Sequence, residues 1–215
     1  KYIKHVDNVI TPSDYMKEKL KEFGLKGNFT TIPNFVAEPL KTGSPIYKFP
    51  YFFFVGILEE HKGILNLVST FVEIKDEVSP KLVIAGSGSL ENEIKEIISK
   101  NNCHEKIMML GRVDDFTLTN LYANAVAVII PSIWPENCPL VALEALANGT
   151  RIIVSDQGGL PEIANKTEAC TVIKKDLAST LLNFPLEPKN EKKDSKYLNE
   201  DFTISRFLSE YQKLF

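Results

Sequence analysis

Short runs in which almost every residue is apolar recur through the middle of the chain: YFFFVGI (51–57), KLVIAGSG (81–88), KIMMLG (106–111), VAVIIPS (126–132), RIIVSD (151–156) and ACTVIK (169–174). Runs apolar at successive positions, not alternate ones, suit strands of a parallel sheet covered on both faces. Helical spacing fills the gaps between them. In 63–78 the apolar positions Ile64, Leu67, Val68, Phe71, Val72 and Ile74 fit a 3.6-residue period. Segment 89–101 offers Ser89 as an N-cap and Leu90, Ile94, Ile97 and Ile98 as a buried stripe. Segment 139–149 opens on Pro139 at an expected first helical position and closes on Gly149 at an expected C′. The alternation of strand and helix predicts an α/β fold, a doubly wound parallel sheet of Rossmann-like form with right-handed crossovers.

The two ends of the chain read differently. NVITPS, DYMKEKLKEFG and FTTIPNFV predict a strand–helix–strand unit within 1–36. A Pro-, Gly- and Ser-containing stretch, 37–50, reads as a linker to the main domain, 51–184. Segment 185–200 is charged and contains prolines, which predicts an exposed loop. A last amphipathic helix is expected over 201–214, within a C-terminal segment 201–215.

Composition narrows the function classes. At 215 residues the chain holds one large α/β domain, or one domain and a fragment of another. Its 44% hydrophobic and 25% charged residues are those of a globular protein. A net charge of −3 gives no electrostatic case for nucleic acid or an anionic membrane surface. No apolar run approaches the roughly 20 residues that span a bilayer. The opening KYIKHVDNVI lacks the apolar core of a signal peptide. Because the first residue is Lys1, the chain is expected to be trimmed or cut from something longer. Cys103, Cys138 and Cys170 form no CxxC pair and are expected to be free thiols. His5, His61 and His104 have no metal-ligand spacing.

In a doubly wound sheet, ligands bind beyond the carboxyl ends of the strands. Five of the predicted strands end in loops with suggestive residues: 56–63 with His61 and Lys62, Gly86-Ser87-Gly88, Gly111-Arg112-Val113, 131–139, and Asp156-Gln157-Gly158-Gly159. GSGSLE (86–91) carries two glycines of a dinucleotide fingerprint, but Glu91 holds the third place. Two glycines there serve a tight strand-to-helix turn as readily as a ligand. Lys62 before Gly63 at a helix start would make an anion site, although alone it reads more readily as a surface lysine. SIWPENCPLVALEALANG (132–149) says more. Glu136 lies in the loop and Glu144 inside the helix, between Leu143 and Ala145, where a charge needs a partner or a ligand. Carboxylates suit vicinal sugar hydroxyls, and free amides at the helix start suit a diphosphate.

These segments resemble the retaining glycosyltransferases of family 4, which have the two-domain GT-B fold. Glu136 and Glu144 match that family's two-glutamate motif, with seven residues between them. LEALANGTRIIVSDQGGLPEI (143–163), VGILEEHKG (55–63), LVIAGSG (82–88), IMMLGRV (107–113), VITPS and TIPNFV match other signatures in the same order. The resemblance implies that Glu144 binds ribose and Glu136 contacts the transferred sugar. It implies that the backbone of Asn137, Cys138, Pro139, Leu140 and Val141 holds sugar hydroxyls and diphosphate. Lys62 would contact the diphosphate and stabilise the leaving group. Gly56, with Gly86 and Gly88, would line the donor site, and Arg112 and Val113 would lie beside the base. The donor would be a UDP- or GDP-sugar, with no cofactor and no metal held by the protein.

Three positions depart from the family pattern. Ile57 stands where an Arg often follows the first glycine, Pro139 where a Gly is common, and Cys138 where an aromatic is common. Cys138 has no nearby histidine in sequence to activate it, and is read as a packing or donor-loop residue, not a nucleophile. Segment 1–36 resembles only the end of the family's N-terminal acceptor domain. The expected partners are therefore a nucleotide sugar, an unidentified acceptor, and a missing N-terminal domain or partner subunit. The expected location is cytoplasmic, with peripheral attachment to the inner membrane face open. The alternatives are a non-catalytic module of the same fold, another GT-B enzyme such as a sugar-nucleotide epimerase, and, least, a nicotinamide dehydrogenase.

Overall fold

The computed structural model of the chain describes residues 6–39, 42–186 and 197–214. Six parallel strands form the main sheet: β3 (Tyr51–Val55), β4 (Lys81–Ala85), β5 (Ile107–Gly111), β6 (Ala127–Ile130), β7 (Ile152–Val154) and β8 (Cys170–Val172). Their order across the sheet is β5-β4-β3-β6-β7-β8. The chain therefore winds outward in one direction from β3 and in the other from β6. β3 and β6 lie side by side at the point of reversal, where a doubly wound sheet opens a crevice.

The central runs, in β3, β4, β6 and β7, are apolar because those strands are covered on both faces; the edge strand β8 leaves Thr171 exposed. Phe52 and Phe54 point to one side of β3, where α2 (Ile64–Ile74), α3 (Glu91–Lys100) and α7 (Leu177–Leu182) bury Leu67, Phe71, Ile94, Ile98 and Leu181. Tyr51 and Phe53 point to the other side. There α4 (Asp115–Asn124), α5 (Leu140–Ala147) and α6 (Leu160–Ala164) bury Leu121, Tyr122, Leu143, Leu146, Leu160 and Ile163.

The expected strands and the helices over 63–78, 89–101 and 139–149 are present, with shifts at their ends. Pro139 is the N-cap of α5 and not its first residue, so the helix starts at Leu140; Gly149 follows the C-cap Asn148 with φ 68°. Ser89 does not cap α3, whose N-cap is Leu90 without a side-chain bond. Its hydroxyl and amide are instead taken by the Glu59 carboxylate at 2.8 and 3.0 Å. Helices α4, α6 and α7 were not legible from periodicity. In α4 the buried positions are Thr119, Asn120, Leu121 and Tyr122, four consecutive residues of which two are polar, so no apolar stripe marks it.

The N-terminal unit stands apart from the main sheet. β1 (Asn8–Thr11) and β2 (Asn28–Thr31) pair in parallel as a two-stranded sheet, connected by α1 (Asp14–Glu22). α1 is fastened to the main domain from 148 positions away. The Glu162 carboxylate of α6 accepts the amides of Asp14 and Tyr15 at 2.9 and 2.6 Å, the opening donors of α1. Asn34 Nδ2 adds a bond to the Cys138 carbonyl at 2.8 Å. In the 37–50 stretch, Asn120 of α4 grips the Ser44 carbonyl and the Ile46 amide, and Tyr47 stacks on Phe49. The expected charged loop, 185–200, lies for its larger part outside the described residues. Its sequel begins with a short 3-10 turn, Glu200–Phe202, and the last helix is α8 (Ile204–Gln212), shorter than the expected 201–214. Phe207 of α8 meets Phe35 at a ring separation of 4.7 Å, so the end of the chain returns to the segment that leaves β2. No helix among the described residues is long and apolar enough to cross a membrane.

Three substitutions test this packing. Phe71 is fully buried, and Phe71→Ala lowers the unfolding free energy by about 3–5 kcal/mol in urea titration. The half-exposed Phe116 changed to Ala costs about 0.5 kcal/mol. Glu162→Ala leaves two α1 donors without an acceptor; amide exchange in α1 accelerates by about an order of magnitude while β3 is unchanged.

Candidate functional site

The loops after β3 and β6 leave the sheet side by side and are held together by backbone. The His61 carbonyl accepts the Ile133 amide at 3.0 Å and the Trp134 amide at 3.3 Å. Gly63 closes the 3-10 turn Glu60–Lys62 and caps α2 with φ 69°. A Cβ there would lie 2.0 Å from the Pro131 carbonyl oxygen, so both the left-handed backbone and the close approach require glycine. A third loop joins from β7. Gly158, at φ 63°, pairs with Glu136 as an isolated parallel bridge, and its Cβ would come within 2.2 Å of the Glu136 carbonyl oxygen. The Gly159 amide donates to the same carbonyl at 2.6 Å.

This framework brings Lys62 and Glu136 into contact. Lys62 Nζ lies 2.6 Å from Glu136 Oε1, with the side chains 28% and 17% exposed. The Ser132 hydroxyl donates to the same oxygen at 2.7 Å. Ser132 is itself buried and fixed, because its carbonyl accepts the Ser155 hydroxyl at 2.7 Å. A cation and a carboxylate expected to serve different parts of one ligand thus share one half-buried spot.

Glu144 lies one helical stretch further along α5. Its carboxylate accepts the Tyr122 hydroxyl at 2.7 Å, which answers the question of how a charge sits between buried Leu143 and Ala145. Burial, with the Glu144 carboxylate beside it, holds the Tyr122 phenol well above the ordinary tyrosine range. Tyr122 and Glu144 both line a cavity of about 450 Å³, together with Leu118, Leu140 and Asn148. A second cavity of about 340 Å³ is walled by Gly56, Ile57, Gly86, Ser87, Arg112 and Val113. Leu118 belongs to both walls. Arg112 is steadied by its Nε bond to the Ser87 hydroxyl at 3.0 Å. Pro139 gives α5 no side-chain cap, and no acidic residue occupies the first turn. The opening amides of α5 are donors aligned with the positive end of the helix, the arrangement that attracts a phosphate.

Of the residues singled out from sequence, Lys62 and Glu136 meet directly. Gly56, Gly86, Arg112 and Val113 share one cavity, and Leu140 and Glu144 share the adjoining one. Gly88 follows Ser87 of the first cavity's wall and packs on Leu58: a Cβ on it would lie 2.4 Å from the Leu58 carbonyl oxygen, as one on Gly86 would lie 1.9 Å from that of Gly56. Asn137 and Cys138 line a third cavity of about 240 Å³, facing Ser13, Asp14 and Glu162. Val141 is packed against the core. The three cysteines are free, and burial pushes the Cys138 thiol up and the Cys170 thiol up to about 12, against a nucleophilic role for either. No cluster of three metal-ligating side chains occurs among the described residues. Sequence reasoning missed Ser132, Ser87 and Tyr122. The first two are small hydroxyls without a motif of their own, and Tyr122 lies on the helix that periodicity did not reveal. Asp114, which caps α4 through the Thr117 amide, was the available signal.

Comparison with known proteins bears on the family and the fold. The family described as glycosyl transferases group 1 matches residues 40–195. An uncharacterized glycosyltransferase of Methanocaldococcus jannaschii is 42% identical over 110 residues, 51% of this chain and 28% of that protein. A glycogen synthase of Mycobacterium tuberculosis is 29% identical over 171 residues, 74% of this chain and 40% of that protein. The chain thus spans well under half the length of these relatives. Among solved structures, sucrose-phosphate synthase from Thermosynechococcus elongatus superposes with a TM-score of 0.76 at 22% identity, covering 99% of this chain and 58% of that one. A glycosyltransferase from Rickettsia africae gives 0.77 at 19% identity, covering 97% and 62%. The structural likeness shows the GT-B type of fold, and the sequence match extends over well more than half of the chain. The chain belongs to the glycosyl transferases group 1 family.

Proposed function

We propose that this chain supplies the nucleotide-sugar-binding half of a glycosyltransferase that moves a hexosyl unit from a UDP- or GDP-sugar to an acceptor with retention of configuration. The observation that carries the reading is the pair of glutamates, Glu136 against Lys62 at the end of β6 and Glu144 inside α5, on the edge where the sheet reverses. The nucleoside fits the two cavities that share Leu118: the base beside Arg112 and Val113, the ribose hydroxyls on Glu144. The diphosphate then falls between Lys62 and the opening amides of α5, and the hexose against Glu136. As the bond from the sugar to the diphosphate breaks, negative charge grows on the departing oxygen. Lys62 and the helix amides are placed to stabilise it. Lys62 is then divided between Glu136 and the diphosphate, so donor binding and the orientation of the sugar carboxylate are coupled.

The acceptor would be held mainly by an N-terminal domain, of which 1–36 is the closing strand–helix–strand, or by a partner subunit. The enzyme would work in the cytoplasm, with peripheral attachment to the inner membrane face as one arrangement. A second reading, a non-catalytic module of the same fold, draws on Ile57. It borders the cavity beside Gly56, is half exposed, and offers no charge to a phosphate.

Thermal unfolding with UDP and GDP at about 1 mM tests the donor site. A nucleotide at ten times its Kd adds about 1.4 kcal/mol, a rise of roughly 3–5 °C for a chain of this size. Glu144→Ala abolishes the rise, and Lys62→Ala reduces it. A wild-type chain whose unfolding temperature is unmoved by either nucleotide does not hold a donor. Transfer restored by adding the N-terminal domain excludes the non-catalytic reading.

A further inference from the structure

Tyr122 is nearly fully buried at 2% exposure, and its position is set on three sides. Its ring meets Phe53 of β3 edge to face at 5.5 Å. Its backbone carbonyl accepts the Thr150 hydroxyl from the segment that follows α5. Its phenol oxygen ends 2.7 Å from Glu144 Oε2. Among the described residues, no other side chain donates to the Glu144 carboxylate. Both residues line the same cavity of about 450 Å³.

A glutamate on a helix has several rotamers, and holding one of them costs conformational entropy at the moment a ligand binds. A hydrogen bond from a buried, immobile phenol settles that cost in advance. It also fixes which lone pairs remain. One lone pair of Oε2 is taken by Tyr122; its other lone pair and those of Oε1 are left for a ligand. Two adjacent hydroxyls need acceptors at a fixed spacing, so a swinging carboxylate meets one of them at a time, and a held one meets both. A tyrosine phenol is protonated at neutral pH, and burial beside the Glu144 carboxylate keeps this one a donor further into the alkaline range.

We propose that Tyr122 is a positioning residue for the ribose subsite. Its hydroxyl orients Glu144 so that both hydroxyls of a ribonucleoside diphosphate are accepted together, and discrimination against deoxynucleotides passes through this bond. The proposal rests on the reading of Glu144 as the ribose carboxylate. It adds a residue that no sequence motif singles out, and a selectivity that follows from it.

Calorimetric titration of the full chain with UDP and GDP, and with the 2′,3′-dideoxy form of whichever binds, tests it. Tyr122→Phe lowers affinity for the ribonucleotide about tenfold, the scale of one hydrogen bond to a charged group, and leaves the dideoxynucleotide within about twofold. Glu144→Ala loses at least as much for the ribonucleotide, and Tyr122→Phe adds nothing further on that background. If Tyr122→Phe does not unfold cooperatively, 4-fluorophenylalanine at position 122 fills the volume without a donor and gives the same ratio. An equal loss for both nucleotides makes Tyr122 merely structural and overturns the proposal. So does an unchanged ribonucleotide affinity in Tyr122→Phe when Glu144→Ala is impaired. If Glu144→Ala itself binds the ribonucleotide normally, the ribose assignment of Glu144 fails first and the role of Tyr122 fails with it.

Discussion

The contact between Lys62 and Glu136 exists because two loops, more than 70 residues apart in sequence, run against each other with no side chain between them. Gly63 lies so near Pro131 that any Cβ would overlap its carbonyl oxygen. Gly158 does the same to the backbone of Glu136 from the other side. The first approach lies at the reversal of the sheet, where β3 and β6 are hydrogen-bonded neighbours and their following loops emerge together; the second joins the loop after β7 to the one after β6. The functional residues need no special strands or helices of their own. They need this edge, and glycines wherever it narrows.

Both glutamates of the site are held by neutral hydroxyls: Glu136 by Ser132, Glu144 by Tyr122. Each hydroxyl is in turn anchored through the backbone carbonyl of its own residue, by Ser155 and Thr150. A carboxylate so held remains an acceptor for a ligand while losing the freedom to turn away from it. The cationic partner is reserved for Glu136, the carboxylate nearest the expected diphosphate. On the proposed reading of the site, phosphate recognition and sugar recognition would compete for Lys62, whereas ribose recognition would be independent of it.

Much of this was legible in the sequence where a single physical rule dominates. Strands covered on both faces are apolar at successive positions, the mark carried by the runs of β3, β4, β6 and β7; the edge strand β8 was found although its Thr171 is polar and exposed. The turn at Gly149 and the gathering of loops at the carboxyl ends of the strands followed from backbone rules and the doubly wound pattern; that β3 and β6 are the neighbours at the reversal came from the structure. Glu144 stood out because a charge between Leu143 and Ala145 demands a partner. That partner was not legible, because α4 buries Thr119 and Asn120 beside Leu121 and Tyr122 and so lacks a stripe. Asn120 is spent on fastening the 42–50 segment, a tertiary task invisible to periodicity. At Gly86 and Gly88 the sequence left a tight turn and a ligand approach both open; in the structure each glycine lets backbone pass closely, Gly86 against Gly56 and Gly88 against Leu58, and Gly86 also walls the cavity that holds Arg112.

The central claim is spatial: a nucleoside diphosphate lies across the reversal edge, from the Arg112 cavity over Glu144 to the start of α5. Chemical-shift mapping of the ¹⁵N-labelled chain during titration with UDP and GDP tests it most directly. The account predicts perturbed amides at Gly86, Arg112, Val113, Leu140 and Val141, and at Lys62 and Gly63, with the amides at the amino ends of β3 and β6 unmoved. Perturbations confined to the cavity around Cys138 and Glu162, or spread over the face of α8, would contradict it.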